Sequence, residues 1–145
     1  VPTTNLSNIK LQKERYTTKY IKHAVILIAF SLFVGPFKIA LDYDFLLSLG
    51  PIQNTVITIA FTFGITLFLA YKIWVGRNWA RITFAIMAII GLYPAILLMP
   101  AEAERSIMVL IGSALQALSQ VASLILMFLP VSNGWFTSIK AAKNA

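Results

Sequence analysis

Three stretches of this chain carry no Asp, Glu, Lys, Arg or His: Phe45 to Tyr71, Ile82 to Ala101 and Ser106 to Ile139. A mostly apolar run of about 18 or more residues is long enough to cross a bilayer as a helix, because about 20 residues at 1.5 Å each span the roughly 30 Å hydrocarbon layer. Buried helices of soluble cores are usually shorter, and a chain of 145 residues has no room to bury three such helices completely. Only 12% of the residues are charged and 59% are hydrophobic, against about a quarter charged in a soluble domain. The reading is an all-α polytopic membrane protein.

The first span is less obvious. "HAVILIAFSLFVGPF" is uncharged from Ala24 to Phe37, which is short for a crossing. Tyr20 and His23 extend it into the interface, and Lys22 and Lys38 can snorkel their ammonium groups outward. Four spans result, at about residues 20–41, 52–73, 82–99 and 107–129. Together they predict a four-helix transmembrane bundle with short loops. Gly35 and Pro36 predict a kink in the first span, Pro51 suits a first helical turn, and Pro130 ends the fourth span. Pro100 and "AEAERS" read as the loop between spans three and four. The domain division is a basic leader over 1–19, a transmembrane domain over 20–138 and a short tail over 139–145. In the leader, Ile9, Tyr16 and Tyr20 are compatible with one face of a surface-lying helix. No small-residue cleavage pattern follows the first span, which therefore reads as retained.

Four spans put both ends of the chain on one side. That side collects Lys10, Lys13, Arg15, Lys19 and Lys22 from the leader, Lys72, Arg77 and Arg81 from the middle turn, and Lys140 and Lys143 from the tail. The opposite side keeps only Lys38 and Arg105, and it holds Asp42, Asp44, Glu102 and Glu104. Under the positive-inside rule both termini and the 74–81 turn are cytoplasmic. The net charge of +7 thus reads as topology and attraction to anionic headgroups. With no soluble basic domain to present the charge, nucleic acid is not expected as a partner.

The middle turn, "WVGRNWARITF" at 74–84, concentrates aromatic and guanidinium groups. Trp74, Trp79 and Trp135 belong at headgroup depth. Gly76 permits the turn, and Asn78 is a candidate cap for the helix that follows. Arg77 and Arg81, four apart, are candidate contacts to lipid phosphate or to a partner's carboxylate. The stretch lacks the glycines and the Gly-Lys-Ser/Thr ending of a phosphate loop.

Two polar stripes run inside the predicted spans. Thr55, Thr58, Thr62 and Thr66 fall within an arc of about 80° on span two. Ser113, Gln116, Ser119, Gln120 and Ser123 fall within about 120° on span four. Lipid cannot satisfy these groups, so each stripe must face protein or an aqueous space. Packing is one reading, since small and hydroxylated residues allow close approach and hydrogen bonds of about 0.6–2 kcal/mol. A polar path between spans two and four is the other, with Gln116 and Gln120 at its centre.

Catalytic signals are weak. His23 is the sole histidine and there is no cysteine, so thiolate chemistry and a His- or Cys-rich metal site are not expected. The Ser and Thr residues of the spans have no visible activating base. Asp42 and Asp44, near Lys38, read as a solvated loop. No cofactor or metal is expected.

The segments "GRNWARITFAIMAIIGL" at 76–92 and "SNGWF" at 132–136 resemble small four-span proteins of bacterial inner membranes with a GRNWAR-type cytoplasmic turn. In that resemblance Gly76 to Arg81 form the turn between spans two and three, and Asn133, Trp135 and Phe136 form a short exit motif. It carries no catalytic residue across. The expected function is non-enzymatic: an integral inner-membrane protein assembling with itself or with a larger complex as an accessory subunit. The alternative is a small transporter or channel component.

Overall fold

A computed structural model describes the backbone of residues 3–48 and 50–144 and the side chains of residues 19–48 and 50–140. Six helices follow one another: α1 (Thr3–Leu41), α2 (Tyr43–Ser48), α3 (Ile52–Trp74), α4 (Asn78–Arg105), α5 (Ile107–Phe128) and α6 (Pro130–Asn144). Four of them are long and apolar enough to cross a membrane, namely Lys19–Leu41 within α1, and α3, α4 and α5. The chain is a four-span membrane-spanning bundle with short connections. Its outer faces carry Phe33, Ile57, Phe61, Ile89, Ile90 and Leu118, all exposed, as expected of surfaces solvated by acyl chains.

The connections are tight for local reasons. After α3, Gly76 adopts φ +80°. The Gly76 N–H donates to the Ile73 carbonyl and the Arg77 N–H to the Lys72 carbonyl, both at 2.9 Å. This is a Schellman ending, which needs a left-handed residue and so favours glycine. α4 then starts at once. Its N-cap is Arg77, without a side-chain cap, so Asn78 does not cap the helix but is its first residue. Ser106 alone separates α4 from α5 and caps α5 through its hydroxyl. Pro130 opens α6, where a missing N–H costs nothing.

One boundary differs from expectation. α4 continues through Pro94 and Pro100 to Arg105, so Pro100–Arg105 is helix and not loop. A proline kinks a helix without ending it when neighbouring groups take up the freed carbonyl. Pro130 ends the fourth span as expected, and the segment beyond it forms a separate helix packed against α1 and α5. α1 is continuous from the leader into the first span. The outward face expected of Ile9 and Tyr16 lies outside the described side chains.

α1 packs against α5 and α3, and α4 packs against α3 and α5. The four spans thus form a ring in which α3 and α5 stand opposite each other. The α1–α5 contact is the most extensive, and a Cβ added at Gly112 would lie 2.9 Å from Lys38 Cγ. The apolar core is one-sided. Ile21, Ala24 and Ile28 of α1, Leu69 and Ile73 of α3, Phe84 of α4, Met127 of α5 and Phe136 of α6 pack together at the end that carries the termini. Toward the other end the helices leave an internal space.

Candidate functional site

That space is a cavity of about 250 Å³, slightly smaller than the roughly 300–1,000 Å³ of drug-sized ligand sites. All four spans contribute to its wall. Thr62 and Thr66 come from α3, and Ser113, Gln116 and Gln120 from α5. Ser31 and Lys38 come from α1, and the apolar Phe84, Met87, Gly91 and Leu92 from α4. Phe84 and Ala88 belong both to the wall and to the packed core. The polar lining therefore ends at the core.

The two polar stripes divide by role. On α3, Thr62 and Thr66 face the cavity. Thr58 lies at a side opening described below, and Thr55 is half-buried near the start of the helix. Thr58 and Thr62 donate to the carbonyls one turn earlier, Asn54 at 2.9 Å and Thr58 at 2.8 Å. Their oxygens remain available as acceptors. On α5, Ser119 and Ser123 are buried and donate to the Leu115 and Gln120 carbonyls. They are packing residues, small enough for close contact. Ser113, Gln116 and Gln120 sit at the cavity wall.

A second hollow of about 170 Å³ adjoins the first and shares Leu32, Thr62 and Gln116 with it. Gly35, Pro36 and Ile39 of α1 and Thr58, Ile59 and Phe63 of α3 form its rim. It lies between α1 and α3 on the bundle's flank, and the three shared residues stand between it and the central space.

At the end opposite the termini, four charges pair across helices. Lys38 Nζ donates to Glu102 Oε1 at 3.1 Å and also to the Ser113 hydroxyl. Arg105 Nη2 lies 3.3 Å from Asp42 Oδ2, and its guanidinium stacks 3.7 Å above the Phe45 ring. Glu102 is only 9% exposed, and its Oε2 is buried without a hydrogen-bond partner. The pairing departs from the sequence reading in two ways. Asp42, expected in a solvated loop, pairs with Arg105, and Glu102 is buried within α4 and not in a loop. Asp44 stays exposed. Lys38, Ser31 and Glu102 join the site only through the tertiary structure. The one available signal was that Lys38 and Arg105 are the two basic residues on an otherwise acidic side.

At the opposite end the 74–81 turn separates its two arginines. Arg77 is exposed and borders a hollow of about 350 Å³ together with Gly76, Asn78, Trp79 and Lys140. Arg81 turns inward. Its Nη1 donates to Asn133 Oδ1 at 2.6 Å and to the Met127 carbonyl at 3.2 Å. Its guanidinium lies 4.4 Å from the Phe136 ring centre and 5.0 Å from that of Phe128. Trp74 and Trp79 are about half exposed (48% each). Trp135 is half-buried and packs edge-on to Phe136. The GRNWAR and SNGWF segments therefore meet through Arg81, Asn133 and Phe136. His23 is exposed, with Nδ1 2.6 Å from the Lys19 carbonyl.

Among the described residues, no group of three or more His, Cys, Asp or Glu could hold a metal ion. No protein-family model matches the chain, and no curated protein or solved structure gives a significant match.

Proposed function

We propose that this membrane protein is non-enzymatic and binds a small uncharged molecule in the cavity between α3 and α5, as a carrier or a component of a transport system. The supporting observation is that Thr62, Thr66, Ser113, Gln116 and Gln120 line one partly open cavity instead of packing against each other. Polar groups placed inside a bilayer are costly unless they meet partners. Gln116 and Gln120, one turn apart, offer two amides, each able to donate and accept. Because the core ends the polar lining on the side of the termini, a carrier or binding component fits better than an open pore.

The basic-residue count supports an orientation with both termini cytoplasmic, and the resemblance of the GRNWAR turn is what suggests a bacterial inner membrane. Arg77, Lys140 and the exposed indoles of Trp74 and Trp79 then meet anionic headgroups at that face. The test is uptake of labelled glycerol by vesicles reconstituted with the full chain. Wild-type protein raises the rate, and Gln116→Leu returns it to the protein-free rate while the helical content is unchanged. Equal uptake by both proteins overturns the reading.

Assembly with itself or with a larger membrane complex is the second reading, favoured by a different surface. Ala60 and Gly64, four apart on α3, are exposed, and nothing lies within 4 Å of a Cβ added at Gly64. Such small-residue faces let a second helix approach closely. Cross-linking in native membranes tests this. Gly64→Ile should abolish a cross-linked species, and an unchanged pattern rules this surface out.

A further inference from the structure

The side hollow between α1 and α3 shares Leu32, Thr62 and Gln116 with the cavity, and its position and chemistry narrow what can bind there. We propose that the site receives an uncharged amphiphile from the membrane, a long-chain alcohol or a lipid with a hydroxyl or carbonyl head. The head would sit at Gln116 and Thr62, and the chain would leave between α1 and α3. This rests on the reading of the cavity as a ligand site.

Three observations carry it. The first is depth. Thr58 to Phe63 lie six to eleven residues from the start of α3, about 9–16 Å along the helix. The opening therefore sits at acyl-chain depth in the leaflet opposite the termini. Its rim, with Pro36, Ile39, Ile59 and Phe63, suits a hydrocarbon chain.

The second is hydrogen-bonding capacity at the junction of the two hollows. Leu32, Thr62 and Gln116 line both. Pro36 has no N–H, so the Leu32 carbonyl one turn earlier loses its usual helical donor. Freed carbonyls at membrane depth require another partner. A hydroxyl head can donate to the Leu32 carbonyl and accept from the Gln116 amide.

The third is charge. Lys38 is the only charged residue on the wall among the described residues, and it is already bonded to Glu102 and Ser113. An anionic head would have to share Lys38 with a carboxylate whose second oxygen is already buried without a partner. A cationic head would meet Lys38 first. In a low-dielectric interior either arrangement is costly, and a neutral head avoids both.

The test uses the full chain in phosphatidylcholine vesicles containing hexadecanol with a diazirine in its chain. After irradiation, the labelled residues are mapped by mass spectrometry. Labelling should concentrate on the rim, at Ile39, Ile59 and Phe63, and disappear with excess plain hexadecanol. Hexadecanoate bearing the same diazirine should label the rim roughly tenfold less or weaker still, the scale set by burying a charge beside an occupied partner. Gly35→Phe provides a second variant. Nothing lies within 4 Å of a Cβ at Gly35, which lines the side hollow, so a side chain there should fill the hollow and remove rim labelling, with unchanged helical content confirming the fold.

Labelling spread over outer-face residues such as Ile57 and Phe61, without competition, overturns the proposal. Equal rim labelling by alcohol and carboxylate overturns its charge selectivity. Glycerol uptake in the same preparation separates the two levels. If uptake depends on Gln116 while the rim stays unlabelled, the cavity is a ligand site fed from water. If both fail, the cavity reading falls too.

Discussion

Arg81 Nη1 donates to Asn133 Oδ1 across 2.6 Å, joining the first turn of α4 to α6. The same guanidinium reaches the Met127 carbonyl and lies over Phe136. One side chain therefore fastens three helices at the end that bears the termini. A charge-assisted hydrogen bond contributes about 1.5–3 kcal/mol. Arg81→Ala should lower stability by roughly that amount and expose α6 to limited proteolysis near Gly134. Arg81→Lys should rescue little, because an ammonium lacks the planar fork that bonds and stacks at once. Comparable proteolysis rates for Arg81→Ala and wild type would refute the fastening role.

Gly76 combines a positive φ with a close neighbour. A Cβ there would lie 2.6 Å from Ile139 Cδ1. Gly76→Ala should cost about 1–3 kcal/mol, from backbone strain and from displacing α6. Adding Ile139→Ala should recover only the steric part. Gly134 is the contrast. It has open space around it and lies within α6, so Gly134→Ala should be neutral or stabilising by up to about 1 kcal/mol. Thermal unfolding in detergent measures all three.

Lys38 and Glu102 form a mutually dependent pair. Lys38→Met leaves Glu102 buried without its partner, and removing one member of a buried pair costs about 3–5 kcal/mol. Glu102→Gln leaves the ammonium with the Ser113 hydroxyl and the new amide, a smaller loss. The double variant should be more stable than Lys38→Met alone. A double-mutant cycle read by thermal unfolding should show this coupling, whereas additive losses would mean that the two side chains act independently.

The native chain contains no cysteine, so topology can be read with single introduced thiols. Asp44 and Asn78 are both exposed, at opposite ends of α3. In intact cells a membrane-impermeant maleimide should label Asp44→Cys and spare Asn78→Cys until the membrane is opened. The reverse pattern would invert the orientation inferred from the basic residues.

Much of the fold was legible because hydropathy and helical period are local. Four spans, the turn at Gly76 and the separation of basic from acidic ends follow from residues adjacent in sequence. The polar stripes were visible for the same reason, since the 3.6-residue period places Thr62 and Thr66, or Gln116 and Gln120, on one helical face. Helix ends at prolines were less legible. Pro130 does end a span and Pro100 does not. A proline only removes a donor, and whether the helix continues depends on what else meets the freed carbonyl.

The sequence by itself determined that this chain crosses a membrane four times as an all-α protein, and which residues share each helical face. Tertiary structure decided what those faces meet. It turned Arg81 inward while leaving Arg77 outside, paired Lys38 with Glu102 across 64 residues, and opened a cavity where two polar stripes stand opposite each other. The physical reason is rotation. A helix fixes the angles between its own side chains, but its orientation about its axis is set by packing against neighbours, and Gly112 beside Lys38 and Gly76 beneath Ile139 are among the contacts that set it here.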